Sequence, residues 1–195
     1  LHYGFPSALE SDTPIRFVAL SVDEARMIRG YQFLTAKPML IVINIDEGQL
    51  NDPPLINYPH QQSAVVALAG KIEAELAQLE PADARAFMDD LGIQQPARNR
   101  VISLSYDLLG LISFLTAGPD EVRAWTIRRN TPAVEAAGAI HSDLQRGFIR
   151  AEVVAYTDLI RAGSMNEAKK QGVVRSEGKQ YIVQDGDICH FLHNT

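Results

Sequence analysis

Apolar positions take two textures along this chain. In the first half, unbroken apolar runs alternate with amphipathic stretches. Met39-Leu40-Ile41-Val42-Ile43 has no alternation at all, the pattern of a strand buried on both faces of a parallel sheet. Ala64 to Ala69 repeats that texture, Gly70 turns the chain, and Lys71 to Leu79 has helical composition. Upstream, Ser21 and Glu24 stand at capping-box spacing, and Ala25, Ile28, Tyr31 and Leu34 follow at helical intervals until Pro38. Gly48 to Gln62 is polar, contains three prolines, and predicts a loop. Further helices are expected from Pro81, a residue suited to a first turn, to near Gly92, and from Arg98 to Leu109. Strands alternating with helices predict an α/β layer. Two strands are too few for a stable sheet, so part of that sheet is expected to be missing from the chain.

Past Leu109 the strands shorten and begin to alternate. Leu111–Leu115, Val122–Ile127, Ala151–Tyr156, Val174–Ser176, Tyr181–Val183 and Asp187–Leu192 read as strands, with a short helix over Pro132–Ala137. Gln184-Asp185-Gly186-Asp187 carries an Asp-Gly turn signal. Short strands around one or two short helices outline an α+β β-grasp. The expected organisation is an α/β region over residues 1–110 and an α+β domain over residues 111–195.

Composition narrows the class. The 195 residues are 46% hydrophobic and 22% charged, ordinary globular usage. No apolar run approaches the ~20 residues that cross a bilayer, so no membrane association is expected. Leu1 to Glu10 has neither a basic segment nor an apolar core, so no leader is read there. A cytoplasmic protein is the expectation, and the lone Cys189 fits a reducing compartment. The opening Leu1, with no Met, leads us to expect a fragment or a processed form. The net charge of −6 argues against general nucleic-acid affinity. All of that excess falls in residues 1–112; residues 113–195 balance at ten basic and ten acidic. Within the second part, Arg123, Arg128, Arg129, Arg146 and Arg150 face only Glu135 and Asp143 between positions 123 and 150. They are candidate RNA-facing residues, although strand alternation sets Arg123 and Arg128 on opposite faces.

Candidate chemistry begins where the first buried strand ends, at Asn44-Ile45-Asp46-Glu47. GTPases deliver Asn-Lys-x-Asp from such a strand, and the Asp carboxylate accepts guanine's ring N–H and amine. Here Ile45 replaces the lysine, and Glu47 carries one methylene too many to occupy the same point. Adenine instead offers an amine beside a ring acceptor, groups with which Asn44 can pair. The second strand ends in Ala69-Gly70-Lys71, small residues that let backbone approach a base. No Gly-x-x-x-x-Gly-Lys-Ser/Thr occurs, so nothing in the sequence cradles phosphates, and hydrolysis by this chain alone is not expected. No catalytic residue and no metal site is read. His190 and His193 fall on opposite faces of one strand. His141-Ser142-Asp143 reads as a helix start capped by Ser142 or Asp143; Trp125 reads as core, and Glu73 and Glu75 as a solvated helix face.

Several ordered strings carry a resemblance. They are Phe114-Leu115-Thr116-Ala117-Gly118, Glu121 to Ile127, Ala136-Ala137-Gly138, Ile140 to Asp143, Gly147 to Val153 and Gln184 to Asp187. The chain resembles the carboxy-terminal part of the YchF-type Obg-like ATPases, P-loop NTPases that end in a β-grasp TGS domain. Asn44-x-x-Glu47 matches that family's substitution for Asn-Lys-x-Asp; Ala69 departs from the Ser of many relatives. The resemblance implies ATP preference over GTP and a base pocket formed by Asn44, Ile45, Glu47, Ala69 and Gly70. It implies that the phosphate loop, the Mg-binding switches and most of the helical arm lie upstream of Leu1, so ATP is not expected to bind tightly to this chain. It further implies a cytoplasmic ATPase that docks on the ribosome or RNA through the TGS domain and takes part in stress regulation. The competing readings are a non-catalytic TGS docking adaptor and a GTPase, the latter opposed by Ile45 and Glu47.

Overall fold

The computed structural model describes residues 6–7, 10–58, 60–118 and 121–194. Most of the opening stretch read as lacking a leader therefore lies outside the described residues. The chain divides into two compact units, Leu1–Leu109 and Gly110–Thr195, both of mixed α/β structure.

In the first unit, Ser21 caps α1 (Val22–Ile28) through the predicted capping box, its hydroxyl accepting the Glu24 N–H while the Glu24 carboxylate accepts the Ser21 N–H at 3.0 Å. Ile15 and Ile28 form a small core of their own, with Leu20, Phe33 and Ala36 against it. β1 (Met39–Asn44) and β2 (Ser63–Leu68) pair in parallel, from Met39 opposite Ser63 to Asn44 opposite Leu68. Next come α2 (Gly70–Leu76), α3 (Pro81–Asp90) and α4 (Ala97–Leu109). Ile45, Ala69, Ile72 and Leu76 are buried together, with Ile43, Phe87 and Met88 packed against them. One expectation fails at β1: Val42 is 47% exposed, so this strand is not buried on both faces. Among the described residues no third strand joins the sheet, and its second face is left partly open.

In the second unit, β3 (Leu111–Ala117) and β4 (Val122–Arg128) form a hairpin. They are followed by α5 (Ala133–Ile140), α6 (Ser142–Arg146), β5 (Phe148–Ala155), α7 (Tyr156–Ala162), α8 (Met165–Lys170), β6 (Arg175–Glu177) and β7 (Asp187–His193). The strand order is β4-β3-β7-β5-β6, with β3 and β7 parallel and the other pairs antiparallel. Period-two alternation splits β5 between two cores. Val153 points to one face, where Phe114, Ile127, Phe148 and Phe191 pack against α5 through Ala133, Ala136 and Ala137. Val154 points to the other, where Ile188 and Leu115 meet α7 and α8 through Leu159, Met165 and Ala168.

Two local expectations are corrected here and a third holds. Tyr156, read as a strand end, opens α7, and neither α7 nor α8 was expected. Tyr181–Val183 is not a strand: it pairs only through an isolated bridge, Ile182 to Pro132, beside the bonds Ala133 N–H to Tyr181 O and Val183 N–H to Thr131 O. The Asp-Gly turn forms as predicted, with Gly186 at φ +77° and Asp185 accepting the Ser113 N–H at 2.8 Å. Among the described residues no helix is long and apolar enough to cross a membrane.

Candidate functional site

Parallel pairing brings the carboxyl ends of β1 and β2 side by side, the position where open α/β sheets bind ligands. The Ile45 N–H donates to the Leu68 carbonyl at 2.9 Å, and the Gly70 N–H donates to Asn44 Oδ1 at 3.0 Å. The two strand ends are thereby stapled at the start of α2. A Cβ on residue 70 would also stand 3.0 Å from Asn44 Oδ1, so the close approach favours glycine. An amide oxygen carries two lone pairs, so with one taken by the Gly70 N–H, Asn44 keeps its NH2 group and one acceptor position for a ligand. The Gly70 N–H itself faces Asn44.

The remaining corner residues divide between inside and outside. Ile45 is 7% exposed and Ala69 4%, both in the apolar cluster with Ile72 and Leu76. Glu47 is exposed and opens a 3-10 turn, Glu47–Gln49, held by the Asp46 N–H donating to Gln49 Oε1 at 3.1 Å. Beside the strand ends lies a cavity of about 300 Å³, walled by Ile45, Leu68, Ala69 and Ile72 and rimmed by Glu73 and Gln95 among others. Asn44, Glu47 and Gly70 stand outside that wall. The structure thus brings Asn44 to Gly70 and Ile45 to Ala69, and leaves Glu47 on the surface of the same corner.

Sequence reasoning missed one residue of the site. Glu73, expected on a solvated face, is half-buried and caps α4: Oε1 accepts the Ala97 N–H at 2.6 Å and Oε2 the Arg98 N–H at 3.3 Å. The signal was a deficit. α4 begins after Gln95-Pro96 with no Ser, Thr, Asp or Asn to satisfy its first N–H groups, so an acceptor had to come from elsewhere.

In the second unit the five arginines do not assemble into one patch. Arg123 lies over the Trp125 ring at 4.2 Å from its centroid, and Trp125 Nε1 donates to Thr116 Oγ1 at 2.9 Å. Arg128 closes β4 on the opposite face, because the strand runs on to that residue. Arg146 ion-pairs with Asp143 on α6, and this hydrogen bond holds the Asp143 carboxyl below the usual carboxylate range. Arg150 is exposed on β5, and Arg129 follows β4. The cap of α6 is also corrected: His141 fills it, Nδ1 accepting the Asp143 N–H at 3.1 Å, where Ser142 or Asp143 was expected.

Fold and site define a mixed α/β protein whose first unit ends two parallel strands beside a crevice with both apolar and polar walls and whose second is a five-stranded sheet with helices on both faces. Residues 111–194 match the family described as YchF-GTPase_C, Protein of unknown function (DUF933). Over 196 residues the chain is 44% identical to the ribosome-binding ATPase YchF of Bacillus subtilis, covering 96% of this chain and 54% of that protein. It is 46% identical over 192 residues to the ribosome-binding ATPase YchF of Haemophilus ducreyi, covering 96% and 53%. Among solved structures it matches the Schizosaccharomyces pombe YchF GTPase at a TM-score of 0.80 and 28% identity, covering 97% of this chain and 52% of that one. The chain belongs to the YchF family. It spans about half the length of the curated relatives it matches.

Proposed function

We propose that this chain supplies the base-recognising corner of a YchF-type ATP-binding NTPase, and that its second unit is a β-grasp TGS module that docks the protein on the ribosome. The observation that carries the nucleotide reading is the Asn44–Gly70 bond, which fastens the two strand ends next to a cavity of about 300 Å³. That volume lies at the small end of the ~300–1,000 Å³ typical of ligand sites. The Asn44 NH2 group donates to a ring nitrogen, and Ile45 with Ala69 offers an apolar wall to the base. Glu47 stands where a guanine reader would need a shorter carboxylate, which favours adenine. The names of the relatives differ on the nucleotide, ATPase for the bacterial proteins and GTPase for the fission-yeast structure; Ile45 and Glu47 favour the first.

The corner fits a purine and nothing more of the nucleotide. The sequence holds no Gly-x-x-x-x-Gly-Lys-Ser/Thr, so phosphates and Mg are left to the part of the relatives that this chain does not span. Bound ATP would supply the phosphoryl group for hydrolysis, and the residues here orient its base. Phosphoryl transfer rests on positioning and charge stabilisation around the phosphates, so this chain by itself binds weakly and does not hydrolyse. The docking role of the second unit, and work in the cytoplasm with it, draws support from the similarity to relatives that are called ribosome-binding.

Amide NMR of the chain tests the corner. ATP at a concentration on the order of millimolar, suited to a weak site, is expected to shift the Ile45, Ala69 and Gly70 signals, and GTP to shift them less. Equal responses to the two nucleotides, or shifts confined to other residues, would contradict the reading.

A further inference from the structure

Capping α4 does not exhaust Glu73. Its two carboxylate oxygens offer about four lone-pair positions, and the Ala97 and Arg98 N–H groups take one on each oxygen, at 2.6 and 3.3 Å. The same residue is half-buried at the rim of the cavity of about 300 Å³ beside the ends of β1 and β2. The helix sets it there. The Glu73 N–H donates to Ala69 O at 3.0 Å, so Glu73 stands one turn, about 5.4 Å of rise, beyond the small residue that walls the cavity. Because N–H groups of a second helix hold both oxygens, the acceptor is oriented before any ligand arrives.

The other polar side chains that line this cavity discriminate less between ligands. Gln94 and Gln95 are exposed, and their amides donate and accept alike. Arg100 only donates, but it too is exposed, where water competes for it. Glu73 alone among them is half-buried, and a carboxylate only accepts.

We infer that Glu73 is a specificity-determining residue of the base site: its carboxylate accepts a hydrogen bond from the 6-amino group of adenine and disfavours a 6-oxo purine. The inference rests on the reading of this corner as a purine site, and it adds an attractive contact to the exclusion assigned to Glu47. A base lying against Ile45 and Ala69 turns one edge toward α2. Adenine presents an amine at position 6, and a 6-oxo purine presents an acceptor there. Against an anchored carboxylate the amine gains a charge-assisted hydrogen bond, whereas the oxo group sets two acceptors face to face. Guanine also carries a 2-amino group, a second donor. Inosine has the 6-oxo group without that amine, and so isolates position 6.

The whole chain is titrated with ATP, inosine triphosphate and purine riboside triphosphate, which has only hydrogen at position 6, and the Ile45 and Ala69 amide signals are followed by NMR. ATP is expected to bind at least about tenfold more tightly than either analogue (~1.4 kcal/mol). Glu73→Gln sets an amide in the carboxylate's place. Its oxygen keeps an acceptor for Ala97, and its NH2 group donates to a 6-oxo purine, so the preference for ATP over inosine triphosphate is expected to fall to parity or invert. A residue that only capped α4 would, on the same substitution, weaken all three nucleotides by one factor, and that result would overturn the inference. So would either analogue binding the unaltered chain as tightly as ATP, a comparison that needs no variant. In that event the shifts at Ile45 and Ala69 still support the purine site. If no nucleotide shifts those signals, the purine site and the inference fall together.

Discussion

Asp187 shows how one buried residue organises its surroundings. It is 3% exposed and accepts two hydrogen bonds on Oδ2, from the Tyr181 hydroxyl at 2.7 Å and the Gln184 N–H at 2.9 Å; the Arg175 guanidinium lies 3.6 Å from Oδ1. Arg175 also donates to the Tyr181 oxygen at 2.9 Å. Burial, and then the hydrogen bond to Asp187, push the Tyr181 phenol up to about 12. The fold thus favours the neutral phenol over its unfolded value of about 10. That contribution is fully present below about pH 10 and is lost as pH rises through about 12. Urea midpoints are expected to fall across this alkaline window, and less steeply in Tyr181→Phe; an equal fall in both proteins would exclude Tyr181 as a source. Burial pushes the Cys189 thiol to about 12 as well, so part of the fall persists in the variant. Gly147 is constrained more simply: a Cβ there would lie 2.2 Å from the Asn194 carbonyl oxygen, beside the bond from the Asn194 N–H to Gly147 O.

At the scale of elements, α4 is held by a residue of another helix. Replacing Glu73 by Ala removes the acceptor for both the Ala97 and Arg98 N–H groups, a loss of about 1 kcal/mol by analogy with other caps. Hydrogen exchange at Ala97 and Arg98 is expected to accelerate while exchange in β5 stays slow; unchanged exchange at the helix start would refute the capping role. Long-range contacts of this kind are what the sequence hid. The Ser21–Glu24 box is local, and so it was legible. The β1 and β2 runs were legible by texture, but the cover of Val42 depends on neighbours that texture does not reveal. α7 escaped notice because Tyr156 continues the apolar run of β5 directly. Before α8, a capping signal was present and unread: Ser164 accepts the Glu167 N–H at 3.2 Å. In the corner, strand ends and small residues singled out Asn44 and Gly70 although 26 positions separate them. The direction of the Asn44 amide, settled only by the Gly70 bond, was not legible. The opposite-face placement of Arg123 and Arg128 followed from period two alone.

The molecule as a whole has two compact units, one with the corner we propose holds a purine and the other with the sheet we propose docks the protein, in a chain that spans about half the length of its curated relatives. Base selectivity is decisive, because in our proposal Glu47 and Ile45 set this corner apart from a guanine reader. Glu47 is exposed, so Glu47→Asp shortens the carboxylate without disturbing the core. The decisive measurement is calorimetry of ATP and GTP binding to a protein in which this chain is joined to a phosphate-binding half, with and without that substitution. We expect ATP to bind the parent at least about tenfold more tightly, a difference of ~1.4 kcal/mol, and Glu47→Asp to narrow the gap. GTP binding as tight as ATP in the parent, or a ratio that Glu47→Asp leaves unmoved, would contradict the account.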